Sequence, residues 1–169
     1  MPLVAPAEAR SATAAAVTRG TTRLLQALGW TTLCELRLPS GRRADIVALG
    51  GAGELWIVEI KSSIEDFRAD HKWHDYRRHC DRLFFATGPE VPLGMFPEAA
   101  GLIVADRFGG QLLRAAPEHR IPAATRRAMT LRFAQAAAHR LQVLLDPAAP
   151  AGESGTDLFG QGPLERTTT

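Results

Sequence analysis

Two runs of alternating side chains flank a short glycine-rich turn in the first half of the sequence. Residues 43–49 read RADIVAL and residues 54–61 read ELWIVEIK, with GGAG at 50–53 between them. Successive side chains of a strand point to opposite faces, and a short connection that contains glycine is typical of a β-hairpin. The apolar residues that dominate both runs indicate strands buried in a core. This segment therefore predicts an antiparallel hairpin, against which the rest of the chain must pack.

The centre of the turn sets the register of this hairpin. Val47 then lies opposite Ile57, and Asp45 lies opposite Glu59, with all four side chains on one face of the sheet. That face is apolar near the turn and acidic at its open end. Directly opposed residues have Cβ atoms about 4.5–5.5 Å apart, and like charges placed there are destabilising. Lys61 follows Glu59 on the same face and offsets part of this repulsion, and a divalent cation would offset more of it.

The remaining sequence predicts one α/β domain with a mixed sheet flanked by helices. Helical spacing and capping residues predict helices over 7–28, from Ser63 to about Cys80, and over 122–145. Apolar runs predict further strands over 31–38, 82–88, 101–106 and 111–116, the last two forming a second hairpin. The predicted order is αβββαβ, followed by a β-hairpin and a C-terminal helix. We expect the domain to span 7–146, and the residues at 147–169, rich in Pro, Gly, Ser and Thr, to form a disordered tail.

Composition excludes several classes of protein. The chain of 169 residues is long enough for one domain with a sizeable core. No apolar run approaches the roughly 20 residues that span a membrane, and the N-terminal sequence does not read as a secretion signal. Two cysteines, Cys34 and Cys80, argue against a disulfide scaffold and are typical of a reducing cytosol. We therefore expect a cytoplasmic protein.

The acidic end of the hairpin is suited to a hard cation such as Mg²⁺ or Mn²⁺. Mg²⁺ usually keeps several waters, so the carboxylates of Asp45 and Glu59, with the backbone carbonyl of Ile60, would be enough to hold it. A bound cation makes water more acidic and neutralises charge on a phosphoryl group, and the Lys61 ammonium can position that water or stabilise the transition state. The arrangement indicates phosphodiester hydrolysis, while a structural cluster of ion pairs at a strand edge is the alternative that spacing alone leaves open.

These residues carry a resemblance to a known superfamily. Asp45, followed by Glu59-Ile60-Lys61 at the end of the next strand, resembles the D…(D/E)-x-K motif of the PD-(D/E)XK nucleases, and the predicted element order resembles their restriction-endonuclease-like core. The longer run RRADIVAL…GELWIVEIKSSIEDFRADHKWHDYRRHCDRLFFA is similar to a narrower group, the bacterial MmcB-like DNA-repair proteins, over roughly residues 17–145.

The resemblance implies a function and a set of site residues. It implies a DNA-repair nuclease that uses Mg²⁺ or Mn²⁺, with Asp45 and Glu59 as metal ligands and Lys61 as the catalytic lysine. DNA is then the expected substrate, and other repair or replication proteins are possible partners. Nothing in the sequence marks the oligomeric state.

Accessory residues are expected from two further segments. Many superfamily members add an acid from the first helix, where this sequence has only Glu8, too early to reach the site; Glu35 on the first strand is the candidate to complete it. Lys72 and Tyr76 have the i, i+4 spacing that places two residues on one face of a helix. They resemble the helix motif that RecB-like members direct at the site.

Arginines near the motif are candidates for binding DNA phosphates. Arg42, Arg43 and Arg77 are the three that we expect to contribute, although a solvated charged face is the simpler interpretation of any one of them. The absence of a well-placed acid in the first helix and the modest net charge of +2 motivate an alternative function. In that alternative, the same fold binds DNA or a repair partner without cutting it.

Overall fold

The computed structural model describes residues 7–70 and 72–148, with side chains from residue 11 onward. Its elements, in chain order, are α1 (Ala7–Ala27), β1 (Thr31–Arg37), β2 (Arg43–Leu49), β3 (Leu55–Lys61), α2 (Ile64–Ala69), a 3₁₀ segment (Trp73–His79), β4 (Arg82–Thr87), a short 3₁₀ turn (Leu93–Met95), β5 (Gly101–Ala105), β6 (Gly110–Arg114) and α3 (Ala123–Leu145). Each helix and strand except α2 begins and ends within two residues of its predicted limits.

The strands form one open mixed sheet in the order β1-β2-β3-β4-β5-β6. Neighbours β1, β2 and β3 pair antiparallel, β3, β4 and β5 pair parallel, and β6 returns antiparallel to β5. The parallel step from β3 to β4 requires a crossover, which carries α2 and the 3₁₀ segment. The predicted mixed α/β class is therefore confirmed.

The register predicted for the β2–β3 hairpin is confirmed where the two backbones pair. Val47 lies opposite Ile57, and the ladder runs from the turn as far as the Ile46–Val58 pair. Beyond that pair, side chains replace the backbone ladder. The Asp45 N–H donates to Glu59 Oε1 at 3.3 Å. The strands thus open at the end where the two acids lie.

Helix α1 covers one face of the sheet and fixes which face the acids occupy. Val17 and Leu25 of α1 pack in a buried cluster with Ile46 and Val58, neighbours in sequence of the two acids. Because side chains alternate along a strand, Asp45, Glu59 and Lys61 lie on the opposite face. Gly20 lets α1 approach the β5–β6 turn closely, since a Cβ atom there would lie 2.0 Å from a backbone oxygen of that turn.

The crossover between β3 and β4 differs from the single helix predicted from Ser63 to Cys80. Its start is confirmed, because Ser63 Oγ accepts a hydrogen bond from the Asp66 N–H at 3.1 Å. The helix then ends at Asp70, which has φ −92° and ψ 81°, and a 3₁₀ segment follows. A 3₁₀ helix has about three residues per turn. The predicted i, i+4 pairing of Lys72 with Tyr76 on one helical face is therefore wrong: Lys72 is exposed and Tyr76 is buried.

An aromatic cluster packs the crossover against the sheet on the face that carries the acids. Phe67 of α2 makes edge contacts with Phe85 of β4 and with Phe96, at ring-centroid distances of 5.3 and 5.0 Å. Trp73 of the 3₁₀ segment contacts Phe85 in the same way, at 5.6 Å. These contacts hold the crossover in place beside the open end of the hairpin.

By compactness the chain divides into two units at residue 134. The first contains the whole sheet and the start of α3, where Met129 and Phe133 are buried. The second begins at residue 135 with the rest of α3. The domain boundary at 146 stays a prediction, and most of the tail predicted at 147–169 lies outside the described residues, which end at 148. None of the helices described between residues 7 and 148 is long and apolar enough to cross a membrane.

Candidate active site

An open pocket of about 510 Å³ lies where β2 and β3 diverge. Its wall carries five carboxylates, one ammonium and one phenol: Glu35, Asp45, Glu59, Asp66, Asp70, Lys61 and Tyr76. The residues come from three consecutive strands and from the crossover, so the pocket exists only in the folded sheet. The sequence predicts five of these seven residues as site residues, and it misses Asp66 and Asp70.

The two central acids are held close together by reciprocal hydrogen bonds. Asp45 Oδ2 accepts from the Ile60 N–H at 2.8 Å, and Glu59 Oε1 accepts from the Asp45 N–H at 3.3 Å. Burial raises the pKa of Glu59 to about 8, and the neighbouring Asp45 adds to the increase. Burial also raises the pKa of Asp45, outweighing the Ile60 N–H and the Lys61 charge. At neutral pH the pair therefore favours holding a proton on Glu59.

The Lys61 ammonium lies at the base of the pocket. Its Nζ is 2.8 Å from Asp70 Oδ2, and the two side chains are 7% and 18% exposed. The Lys61 carbonyl accepts a hydrogen bond from Thr87 Oγ1 at 2.7 Å, which anchors the end of β3 to β4. Asp66, the other acid that the sequence misses, accepts a hydrogen bond from the Ser62 N–H at 3.0 Å. The Lys61–Asp70 contact has no local sequence signal, because it forms where α2 ends irregularly, whereas the Asp66–Ser62 contact lies at the capped start of α2.

Glu35 reaches the pocket from β1 through an unusual backbone conformation. Its φ is 56°, in the left-handed region that costs a residue with a side chain about 1–2 kcal/mol. Its carboxylate forms an ion pair with Arg43 at the start of β2. Strained residues of this kind concentrate at functional sites. The structure thus brings Glu35 to the predicted site, and its role there stays a prediction.

Tyr76 is the residue that the 3₁₀ segment supplies to the pocket. Its hydroxyl donates to the Arg43 carbonyl at 3.3 Å, which ties the crossover to β2. Burial raises the pKa of Tyr76, and the nearby charges of Glu59 and Asp45 raise it further, so the phenol stays protonated. Lys72 is exposed and is not among the described residues that line the pocket.

The three arginines predicted to contact DNA all have partners within the protein. Arg42 Nη2 lies 2.9 Å from Asp75 Oδ2, and Arg43 pairs with Glu35. Arg77 donates to a backbone carbonyl, and its guanidinium lies 5.2 Å from the centre of an aromatic ring. Arg43 therefore lies next to the pocket, because its partner Glu35 lines the pocket. Binding of DNA by these arginines stays a prediction.

Helix α1 contributes small residues to the pocket. Ser11, Ala14, Ala15 and Thr18 line it, and no carboxylate from the described side chains of α1 does so. The side chain of Glu8 lies outside the described residues. The superfamily resemblance predicts an acid from the first helix. The described α1 side chains that line the pocket are instead small and uncharged.

The donor set of the pocket is chemically suited to a hard cation. Asp45 and Glu59 supply two adjacent carboxylates whose ionised forms are disfavoured, so positive charge beside them would be stabilised. Ile60 also lines the pocket, and the use of its carbonyl as a ligand stays a prediction. Among the described residues no group of three or more His, Cys, Asp or Glu side chains is arranged to hold a metal ion. Mg²⁺ needs only one or two protein carboxylates when waters complete its shell.

Fold and pocket together define an α/β protein with a strongly acidic pocket at the open end of a β-hairpin. Residues 3–148 match the family model described as DNA repair protein MmcB-like, so the chain belongs to the MmcB-like family. A solved structure from Silicibacter pomeroyi, the SPO1766 protein of unknown function, is 39% identical with a TM-score of 0.79, covering 82% of this chain and 94% of that chain. No curated protein is significantly similar.

Proposed function

We propose that this protein is a metal-dependent nuclease of DNA repair that hydrolyses phosphodiester bonds, with a PD-(D/E)XK type of site on a restriction-endonuclease-like core. The description of its family supports the connection to DNA repair. The observation that carries the proposal is the hydrogen-bonded pair of half-buried Asp45 and buried Glu59, with Lys61 two residues beyond Glu59 on the same face. Two acids and one lysine in this arrangement form the D…ExK constellation.

Each residue of the constellation has a role in this proposal. Asp45 and Glu59, with the Ile60 carbonyl, would hold Mg²⁺ or Mn²⁺. The bound cation would supply acidity for the attacking water and positive charge for the phosphoryl group. Lys61 orients the water or stabilises the charge that develops in the transition state. Glu35 supports the acids from β1, and Tyr76 holds the crossover against β2 through the Arg43 carbonyl.

The negative charge of the pocket argues that DNA phosphate would bind there only if a cation offset that charge. Five carboxylates face one ammonium, and even with Glu59 protonated the wall is negative. A bare phosphodiester would be repelled from such a wall, because two like charges about 4 Å apart cost about 1 kcal/mol at the dielectric of bulk water and about 4 kcal/mol near a protein surface. Metal-dependent binding of the substrate is therefore the expected behaviour.

One observation favours a second candidate function, a module that binds DNA or a repair partner without cutting it. The α1 wall of the pocket lacks a described carboxylate, so the site has fewer ligands than the superfamily pattern leads one to expect. This candidate predicts salt-dependent DNA binding that survives loss of the Asp45 charge and needs no metal.

A cleavage assay on labelled single-stranded, duplex, flap and junction DNA, with Mn²⁺ or Mg²⁺, separates the two candidates. Asp45→Asn keeps an acceptor for the Ile60 N–H but removes the charge, and Lys61→Met removes the ammonium. We expect each variant to lose cleavage by a factor on the order of 100 or more. Glu65→Gln, which removes an exposed carboxylate from α2, is the matched control and should cleave normally.

Folding of the variants is checked by circular dichroism and thermal unfolding. Cleavage that persists in Asp45→Asn would overturn the assignment of the site. Absence of cleavage on every substrate, combined with metal-independent DNA binding, would establish the non-catalytic module instead.

A further inference from the structure

The Lys61 ammonium forms its ion pair with Asp70, not with the two central acids. The Lys61 Nζ to Asp70 Oδ2 distance is 2.8 Å, and neither Asp45 nor Glu59 lies within the 4.0 Å of an ion pair to this ammonium in the described structure. Both partners are well shielded, since their side chains are 7% and 18% exposed. The lysine is therefore held in place by the crossover between β3 and β4.

Asp70 is oriented by its own backbone environment. It ends α2, and its N–H donates to the Phe67 carbonyl at 3.1 Å. Its Oδ1 accepts from the Lys72 N–H at 3.1 Å, which leaves Oδ2 for Lys61. The Asp70 carboxylate thus bonds to the backbone just after the end of α2, and it also fixes the position of the Lys61 ammonium.

Without the Asp70 charge, Asp45 and Glu59 remain as partners, because the Lys61 charge already acts on both carboxyls and lowers the pKa of each. Lys61 and Glu59 are two residues apart on one strand face, so their Cβ atoms are about 6.6 Å apart, within reach of a lysine side chain. A buried ammonium is strongly driven to pair with a carboxylate. Lys61 would then turn towards Glu59 and Asp45 and compete with any cation for them.

We propose that Asp70 is a positioning residue that keeps the Lys61 ammonium away from Asp45 and Glu59, so that this pair stays open to a divalent cation. The inference rests on the proposed function, because it assigns the two acids to metal binding. It predicts that Asp70 controls metal affinity through Lys61, although Asp70 itself is not a ligand.

The test measures the affinity of the full-length protein for Mn²⁺ alone, from the electron paramagnetic resonance signal of free Mn²⁺. Asp70→Asn keeps an acceptor for the Lys72 N–H but releases Lys61, and we expect it to weaken Mn²⁺ binding on the order of tenfold, as for directly coupled charged neighbours. Asp66→Asn is the matched control. It also removes one negative charge from the pocket wall, but Asp66 bonds to Ser62 and not to Lys61. We expect its effect to be clearly smaller.

A second background separates positioning from a structural role. In Lys61→Met the ammonium is absent, so adding Asp70→Asn should weaken Mn²⁺ binding no more than Asp66→Asn does. A loss of affinity that persists unchanged in the Lys61→Met background would overturn the inference. Equal effects of Asp70→Asn and Asp66→Asn in the presence of Lys61 would also overturn it.

The result for the unmodified protein separates this inference from the proposed function. If the wild-type protein binds no Mn²⁺, the proposed function fails and the inference fails with it. If it binds Mn²⁺ and Asp70→Asn binds equally well, the inference alone fails. Thermal unfolding of each variant checks that the Mn²⁺ affinities compared are those of folded proteins.

Discussion

Glu59→Gln should make the metal-free protein more stable while abolishing its proposed activity. Glu59 is 3% exposed, and its carboxyl pKa is raised from an ordinary 4.5 to about 8 by burial and by Asp45. Glutamine has nearly the same shape as the protonated acid and is neutral at every pH. It also keeps an oxygen that can accept from the Asp45 N–H. The substitution therefore removes the cost of ionising a buried carboxyl.

The size and sign of the effect follow from proton linkage. Below pH 4.5 both the folded and the unfolded states hold the proton, so the wild-type protein and the variant differ little. Between pH 4.5 and about 8 the unfolded state releases a proton that the folded state keeps, so the stability of the wild type falls as pH rises. At about 1.4 kcal/mol per pKa unit, the cost to the wild type is roughly 3 kcal/mol at pH 7 and roughly 5 kcal/mol above pH 9.

Urea unfolding in the presence of EDTA, at pH 4.5 and pH 8, measures this difference. We expect Glu59→Gln to be more stable than the wild type by a few kcal/mol at pH 8 and to match it closely at pH 4.5. Glu54→Gln is the control, because Glu54 forms a partly exposed ion pair with Arg82 and its loss should cost about 0–1 kcal/mol at either pH.

Two results would refute this reasoning. A variant no more stable than the wild type at pH 8 would show that Glu59 is not held neutral by its surroundings. A stabilisation that is equal at both pH values would trace the effect to packing instead of charge. Saturating Mn²⁺ should reduce or reverse the difference, since a ligand that binds the native state at 100 times its Kd adds about 2.7 kcal/mol.

Two predictions concern the scaffold and are checked by urea or thermal unfolding. Asp81 is 2% exposed and accepts hydrogen bonds from Arg126 and from two backbone N–H groups, so Asp81→Asn should cost about 2–4 kcal/mol at pH 7. Burial raises the pKa of Asp81, but the hydrogen bonds outweigh the effect of burial and hold the pKa below 3.8. The stability that ionised Asp81 provides is therefore present above pH 3.8 and is lost as pH falls through its folded-state pKa. A loss under about 1 kcal/mol at pH 7 would contradict this. Gly20→Ala would place a Cβ atom 2.0 Å from the Asp106 carbonyl oxygen and should cost about 1–3 kcal/mol, whereas Gly51→Ala meets no atom within 4 Å and should be nearly neutral. Equal stabilities of the two alanine variants would rule out the close backbone contact.

The hairpin could be predicted from the sequence because its information is local. The two-residue alternation assigns every side chain to a face, and the GGAG turn leaves one register that buries the apolar residues. The structure has this register as far as the Ile46–Val58 pair, so Asp45 and Glu59 meet where the sequence places them. The order of helices and strands was predicted from the same kinds of signal, the spacing of apolar residues and the residues typical of turns.

The crossover could not be predicted in the same way because its shape depends on distant contacts. The capping signal at Ser63 correctly marks the start of α2, but nothing in the local pattern ends the helix at Asp70. At Asp70 the chain departs from helical geometry, and the side chain bonds to Lys61 of β3 and to the Lys72 N–H. The bond to Lys61 is a tertiary contact, so the local sequence does not signal it. Helical spacing therefore placed Lys72 at the site, whereas the structure brings Asp70 there instead.

The left-handed backbone at Glu35 has a consequence for the outer edge of the sheet. β1 is an edge strand, and edge strands present rows of unpaired N–H and C=O groups on which other chains aggregate. The Cys34–Ile46 and Leu36–Ala44 pairs flank Glu35, whose φ of 56° departs from the extended conformation, so the regular strand geometry is broken at a charged residue in the middle of β1. The conformation that places Glu35 at the pocket thus also makes the outer edge of β1 a poor template for intermolecular strand addition.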